Sequence, residues 1–156
     1  MPDNETIKKE LVEKSGVLME QMGFTRMIGR VMGCLFIAEP PHKTFNEIQE
    51  YLQASKSSIS TSLQFLANQG LVVYFTAPGD RRRYFKLNAE SWTDLIKRDI
   101  SQLTNSRKLI LDCLAVRSAE YVQFNEALLE ITELYAFLEK ELPVLLERWE
   151  QSRNKK

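Results

Sequence analysis

Three observations predict a mostly α-helical chain with a small β wing. Two short amphipathic segments lie close together between Thr44 and Gly70. A β-prone run follows at once and returns on itself just before three successive arginines. The sequence on either side repeats apolar residues at helical spacing over more surface than a core of about seventy residues can cover. These divide the chain into residues 1–24, an N-terminal dimerisation helix; 25–90, a compact central domain; and 91–156, a C-terminal helical dimerisation region.

At the N-terminus Ile7, Leu11, Leu18 and Met22 recur at near-heptad spacing and predict the first helix. Thr25 to Ala38 reads as a second helix, whose Gly29 and Gly33 permit close helix approach; Glu39-Pro40-Pro41 ends it. Thr44-x-x-Glu47 is a capping box, and Phe45, Ile48 and Leu52 give the third helix one apolar face. Ser55 caps the fourth, Ile59, Leu63 and Leu66 line its inner side, and Gly70 offers a left-handed stop. Opposite that core face, about 180° away, Ser57, Thr61, Gln64 and Asn68 form a stripe of uncharged hydrogen-bonders. A helix that had only to be soluble would more often carry Glu and Lys there. Leu71 to Phe75 is one strand, Ala77-Pro78-Gly79-Asp80 a turn, and Arg81 to Leu87 the returning strand. Helix, turn, helix and an arginine-tipped hairpin make a winged helix-turn-helix, the arrangement that reads DNA.

The flanking helices have another task. From Phe124 the series Leu128, Ile131, Tyr135, Leu138, Leu142, Leu145 and Trp149 alternates gaps of four and three, a seam with a period of 3.5. Further apolar residues widen the stripe, and Pro143 should kink or restart the helix. Ser91 to about Val116 is another amphipathic helix. A homodimer built from intertwined terminal helices, with Leu11 and Leu18 contributing from the N-terminus, covers this surface most economically.

Charge is distributed to suit a polyanion. The chain is neutral overall, but Pro40 to Asn88 carries six basic against three acidic residues, net +3. Ser118 to Gln151 carries two against eight, net −6. Such a dipole orients the molecule on approach. A uniformly basic, nonspecific DNA protein is excluded by the neutral total. An enzyme is excluded by motif: one histidine in a proline-flanked loop, no phosphate-cradling Gly-rich loop, no GxSxG and no HExxH. Cys34 and Cys113 are far apart with no CxxC, so they read as two reduced core thiols, and neither a metal nor another cofactor is expected. The polar start MPDNETIKKE has no secretory character, and no apolar run approaches the ~20 residues of a membrane span.

From Gly23 to Trp92 the chain resembles the MarR superfamily of winged-helix regulators, most closely its GbsR-like branch. The residues that carry this are GFTRMIGRVMGCLF, TFNEIQEYL, SKSSIS, LQFLANQGLV and GDRRRYF, in that order. Gln64 stands where many relatives carry a basic residue, so their operators do not transfer. The resemblance implies a cytoplasmic regulator of a bacterium or archaeon. It would bind double-stranded DNA as a homodimer on a near-palindromic operator, usually as a repressor, and be open to release by a small-molecule effector. In that family effectors settle between the winged-helix lobe and the dimerisation helices, which makes Phe36, Tyr51, Trp92 and Tyr135 candidate walls here.

The residue chemistry assigns roles at the DNA. Ser57, Ser58, Thr61 and Gln64 are expected at base edges, Gln64 being able to grip adenine with two bonds. Ser55, Lys56 and Ser60 are placed for the backbone. Arg81, Arg82 and Arg83 suit phosphates or the adjacent minor groove. The competing reading is a winged-helix module that binds another protein. An apolar outer face on the fourth helix would favour it, and that face is polar.

Overall fold

The computed structural model describes residues 3–153. The chain divides between Trp92 and Thr93 into two compact units. In the first, α1 (Asn4–Gln21) and α2 (Arg26–Phe36) are followed by a short strand β1 (Lys43–Thr44), α3 (Phe45–Leu52), α4 (Lys56–Asn68), β2 (Val72–Thr76) and β3 (Arg83–Leu87). After a 3₁₀ turn, the second holds α5 (Trp92–Val116) and α6 (Val122–Arg153), with Trp92 itself counted in the first unit. Among the described residues no helix is long and apolar enough to cross a membrane.

Local signals set the helix starts. Asp3, Thr25, Thr44 and Ser55 each stand in extended backbone and accept a hydrogen bond from the amide three residues on. The Thr44 box is complete: Glu47 N–H donates to Thr44 Oγ1 at 3.3 Å, and Thr44 N–H donates to Glu47 Oε2 at 2.6 Å. Gly70 takes φ +73°, and the amide of Leu71 returns to the Leu66 carbonyl at 2.9 Å, closing α4 as expected.

Helix α2 is central to the first unit, packing on α1, α3 and α4. Its Val31, Cys34 and Leu35 join Ile48 and Leu52 of α3, Ile59, Leu63 and Leu66 of α4 and Val72 of β2 in one core. The α1–α2 contact is unusually close because glycine permits it. A Cβ on Gly29 would lie 2.7 Å from Gly16 Cα, and one on Gly33 would lie 2.8 Å from Ser15 Cβ. Ser15 Oγ donates to the Gly29 carbonyl at 2.8 Å across the same junction. Helix α1 therefore has two apolar faces. Val12, Gly16 and Met19 are buried within the chain, while Ile7, Leu11, Leu18 and Met22 remain exposed.

Several expectations need correction. The sheet has three strands in the order β1-β3-β2, because Lys43 and Thr44 pair with Phe85 and Tyr84 of β3. Strand β3 begins at Arg83, which leaves Arg81 and Arg82 in the turn. Helix α6 does not restart at Pro143; it is one helix from Val122 to Arg153. Cys34 lies in the core, where burial pushes its thiol up to about 11, but Cys113 is exposed on α5. It is no core residue.

The second unit is a helical pair tied by Arg107 to Glu139 (2.9 Å) and Lys97 to Glu150 (2.8 Å). Of the seam residues on α6, Leu128, Tyr135, Leu138 and Leu142 are half-buried, whereas Phe124, Ile131, Leu145 and Trp149 are exposed.

Candidate nucleic-acid interface

Helix α4 turns Ile59, Leu63 and Leu66 into the core, and 3.6-residue periodicity then fixes what faces outward. Lys56, Ser57, Ser60, Thr61, Gln64 and Asn68 are all exposed. Ser58 is only half-buried, and its amide is taken by the Ser55 cap at 3.2 Å. Ser62, between Thr61 and Leu63, points inward.

The wing stands beside this helix. Its ladder pairs Val72 with Leu87, Tyr74 with Phe85, Phe75 with Tyr84 and Thr76 with Arg83. Side chains alternate across a sheet, so Tyr74, Thr76, Arg83 and Phe85 share one face, while Phe75 and Tyr84 share the other. The second face carries a ring cluster: Phe75 stacks on Tyr84 at 5.4 Å, and His42 meets both edge-on. The lone histidine is thus a packing residue against the tip half of the wing.

At the tip, Asp80 organises the turn. Its carboxylate accepts from the Arg82 amide (2.9 Å), from Arg82 Nη2 (2.7 Å) and from the Tyr84 hydroxyl (2.6 Å). The Arg82 and Tyr84 side-chain bonds hold the Asp80 carboxyl far below the usual carboxylate range. The three arginines are therefore not equivalent. Arg82 is anchored, and Arg83 lies over the Tyr74 ring at 4.7 Å. Arg81 and Arg83 line a groove of about 620 Å³ between the wing and α4. Ser60, Gln64 and Ala67 form its helix wall, Tyr74 stands on the wing side, and Phe45, Leu63 and Phe85 make it partly apolar. Phe45, Lys56, Ser57 and Ser60 border a further hollow at the start of α4.

Of the residues expected at DNA, Ser60, Gln64, Arg81 and Arg83 are brought together by one groove that the sequence does not foretell. Tyr74 and Ala67, which line it as well, were not among those expected. The signal for Tyr74 was available in the two-residue alternation of the wing. Two of the effector candidates, Phe36 and Tyr51, differ in their surroundings. Phe36 is 58% exposed, and Tyr51 instead borders a hollow with Lys9, Glu13 and Arg30. Burial, with the Glu5 carboxylate nearby, pushes the Tyr51 phenol up to about 12. Among the described residues no group of His, Cys, Asp and Glu could hold a metal ion.

The chain is similar to known transcriptional regulators. Residues 90–152 match the family model of MmpR5-like MarR family transcriptional regulators, and residues 35–74 match that of bacterial regulatory proteins of the arsR family. The HTH-type transcriptional regulator MmpR5 of Mycobacterium tuberculosis is 28% identical over 142 residues, which are 91% of this chain and 86% of the relative. A crystal structure of a transcriptional regulator superposes with a TM-score of 0.78 at 28% identity, over 92% of this chain and 98% of that one. A Staphylococcus aureus MepR–DNA complex is more remote, with a TM-score of 0.42 at 22% identity over 82% and 91% of the two chains. At that distance it carries no argument about binding.

Proposed function

We infer that this chain is a winged-helix transcriptional regulator of the MarR family and that it acts by binding DNA. The observation that carries the reading is the exposed polar face of α4 beside a wing groove lined by Arg81 and Arg83. The family assignment stops short of a branch: the motifs resemble the GbsR-like branch, whereas the matched model and the curated relative are MmpR5-like.

In the proposed mechanism α4 enters the major groove with its N-terminal turn leading, where unpaired amides favour phosphate. Ser57, Thr61 and Gln64 read base edges, and Ser55, Lys56 and Ser60 hold the backbone. The wing arginines neutralise phosphates beside them. The working form is a homodimer, whose two α4 helices meet successive major grooves about 34–36 Å apart on a near-palindromic site. Repression by obstructing polymerase, in the cytoplasm, is the proposed outcome. A small effector that releases DNA must bind the free protein more tightly than the complex by the same factor. The protein-binding alternative gains nothing from the exposed face of α4, which carries no large apolar side chain.

Selection of bound duplexes from a random pool, followed by sequencing, tests the reading. Enrichment of an inverted repeat supports it; a pool that stays random after several rounds refutes sequence-specific binding. On the selected site Gln64→Ala should cost about 1–3 kcal/mol and relax preference at one position per half-site. Equal losses on selected and random duplexes would mean that Gln64 positions α4 without reading bases.

A further inference from the structure

We propose that Tyr74 is a positioning residue for the DNA backbone: its ring holds the Arg83 guanidinium over the groove between α4 and the wing, so that Arg81 and Arg83 seat one phosphodiester strand there. The proposal rests on the DNA-binding reading above and adds which side chain prepares the wing for phosphate.

The ladder makes the juxtaposition unavoidable. Tyr74 is opposite Phe85 and Arg83 is opposite Thr76, so Tyr74 and Arg83 are diagonal neighbours on the sheet face that looks into the groove. The guanidinium carbon sits 4.7 Å from the ring centroid. The Tyr74 ring is braced in turn by Phe85, 6.1 Å away, yet the residue stays 52% exposed. A large aromatic so open to solvent on a wing contributes little packing, but it makes a good platform.

Contact through the ring face leaves a guanidinium's in-plane N–H donors available for an anion. Arg82 shows the alternative, with Nε and Nη2 both directed at Asp80. Among the described residues no carboxylate lines the groove, so its walls leave the charges of Arg81 and Arg83 uncompensated. Ser60 and Gln64 supply hydroxyl and amide groups on the facing wall. Two uncompensated guanidiniums facing neutral hydrogen-bonders match a strand of phosphates. Holding Arg83 in place before binding reduces the side-chain entropy lost on contact.

The test uses the full chain and a fluorescein-labelled mixed-sequence duplex, with anisotropy titrations at several salt concentrations. Arg83→Ala should lower the slope of log affinity against log salt by about one. Tyr74→Leu keeps an apolar group against Phe85 but removes the ring face, and should weaken binding by about two- to fivefold. Tyr74→Phe should bind as wild type does. In an Arg83→Ala background Tyr74→Leu should add no further loss, because the partner it positions is gone. Circular dichroism of each variant confirms that the wing fold is kept. Full additivity of the two losses overturns the proposal, and so does a Tyr74→Phe variant as weak as Tyr74→Leu. Wild-type binding indifferent to every one of these variants overturns it while leaving the DNA-binding reading intact. A wild-type chain that binds no duplex overturns both.

Discussion

Up to Trp92 the chain gathers twelve buried apolar residues, from α1, α2, α3, α4 and β2, into one core. From Thr93 onward, among the described residues, Thr132 alone is buried, and no apolar side chain is. Yet this second unit is rich in apolar residues, with Leu109, Leu134, Phe137, Leu145 and Trp149 all exposed. Ordering a residue costs about 1–2 kcal/mol of backbone entropy, and half-buried side chains such as Leu128 and Leu138 offset less of it than a closed core does. One region therefore has a core of its own, and the other leaves its largest apolar side chains exposed. A second copy of the chain is the proposed cover, consistent with the 3.5-residue seam on α6.

The contrast can be broken most severely in the first unit. Leu66 is fully buried between α4 and its neighbours, so Leu66→Ala should cost about 2–5 kcal/mol in denaturant unfolding. Because its contacts lie within one chain, the loss should not depend on protein concentration. A loss that grows on dilution would place this core at an interface.

Phe137 sharpens the other side. It is 60% exposed within the chain, and truncating an exposed side chain ordinarily changes stability by no more than about 0.5 kcal/mol. If the second unit is covered by a partner, Phe137→Ala should cost more than about 1 kcal/mol of association free energy, read by sedimentation. Unchanged association would mean that this part of α6 is merely solvated.

A smaller effect belongs to the capping box. Bonds from the Thr44 amide and hydroxyl hold the Glu47 carboxyl below its ordinary value. Its folded pKa is depressed, so its contribution is complete above the unfolded value of about 4.3 and is lost as pH falls through the folded one. Thr44→Ala should remove about 0.5–2 kcal/mol at neutral pH and flatten the acid limb of the stability profile. An unchanged acid limb would show that Glu47 gains nothing from the cap.

What was legible in the sequence follows the range of the interactions. Thr44, Ser55 and Gly70 mark α3 and α4 through bonds that span a few residues, so their roles could be read directly. Strand β1 could not, since Lys43 and Thr44 are a strand only because β3 lies beside them. The face on which Tyr74 lies follows from the alternation of the wing, but its meeting with Arg83 needed the register of the hairpin. Helix α1 displayed both of its apolar faces in sequence. Which one is spent inside the chain depends on Gly29 and Gly33, ten or more residues away on another helix.

The two regions are proposed to act together, the winged-helix unit gripping DNA and the terminal helices pairing two chains. Light scattering of the protein on its selected duplex tests both halves at once. Two chains per duplex are expected, adding twice 18.1 kDa to the mass of the DNA. One chain per duplex, bound as tightly, would contradict that pairing.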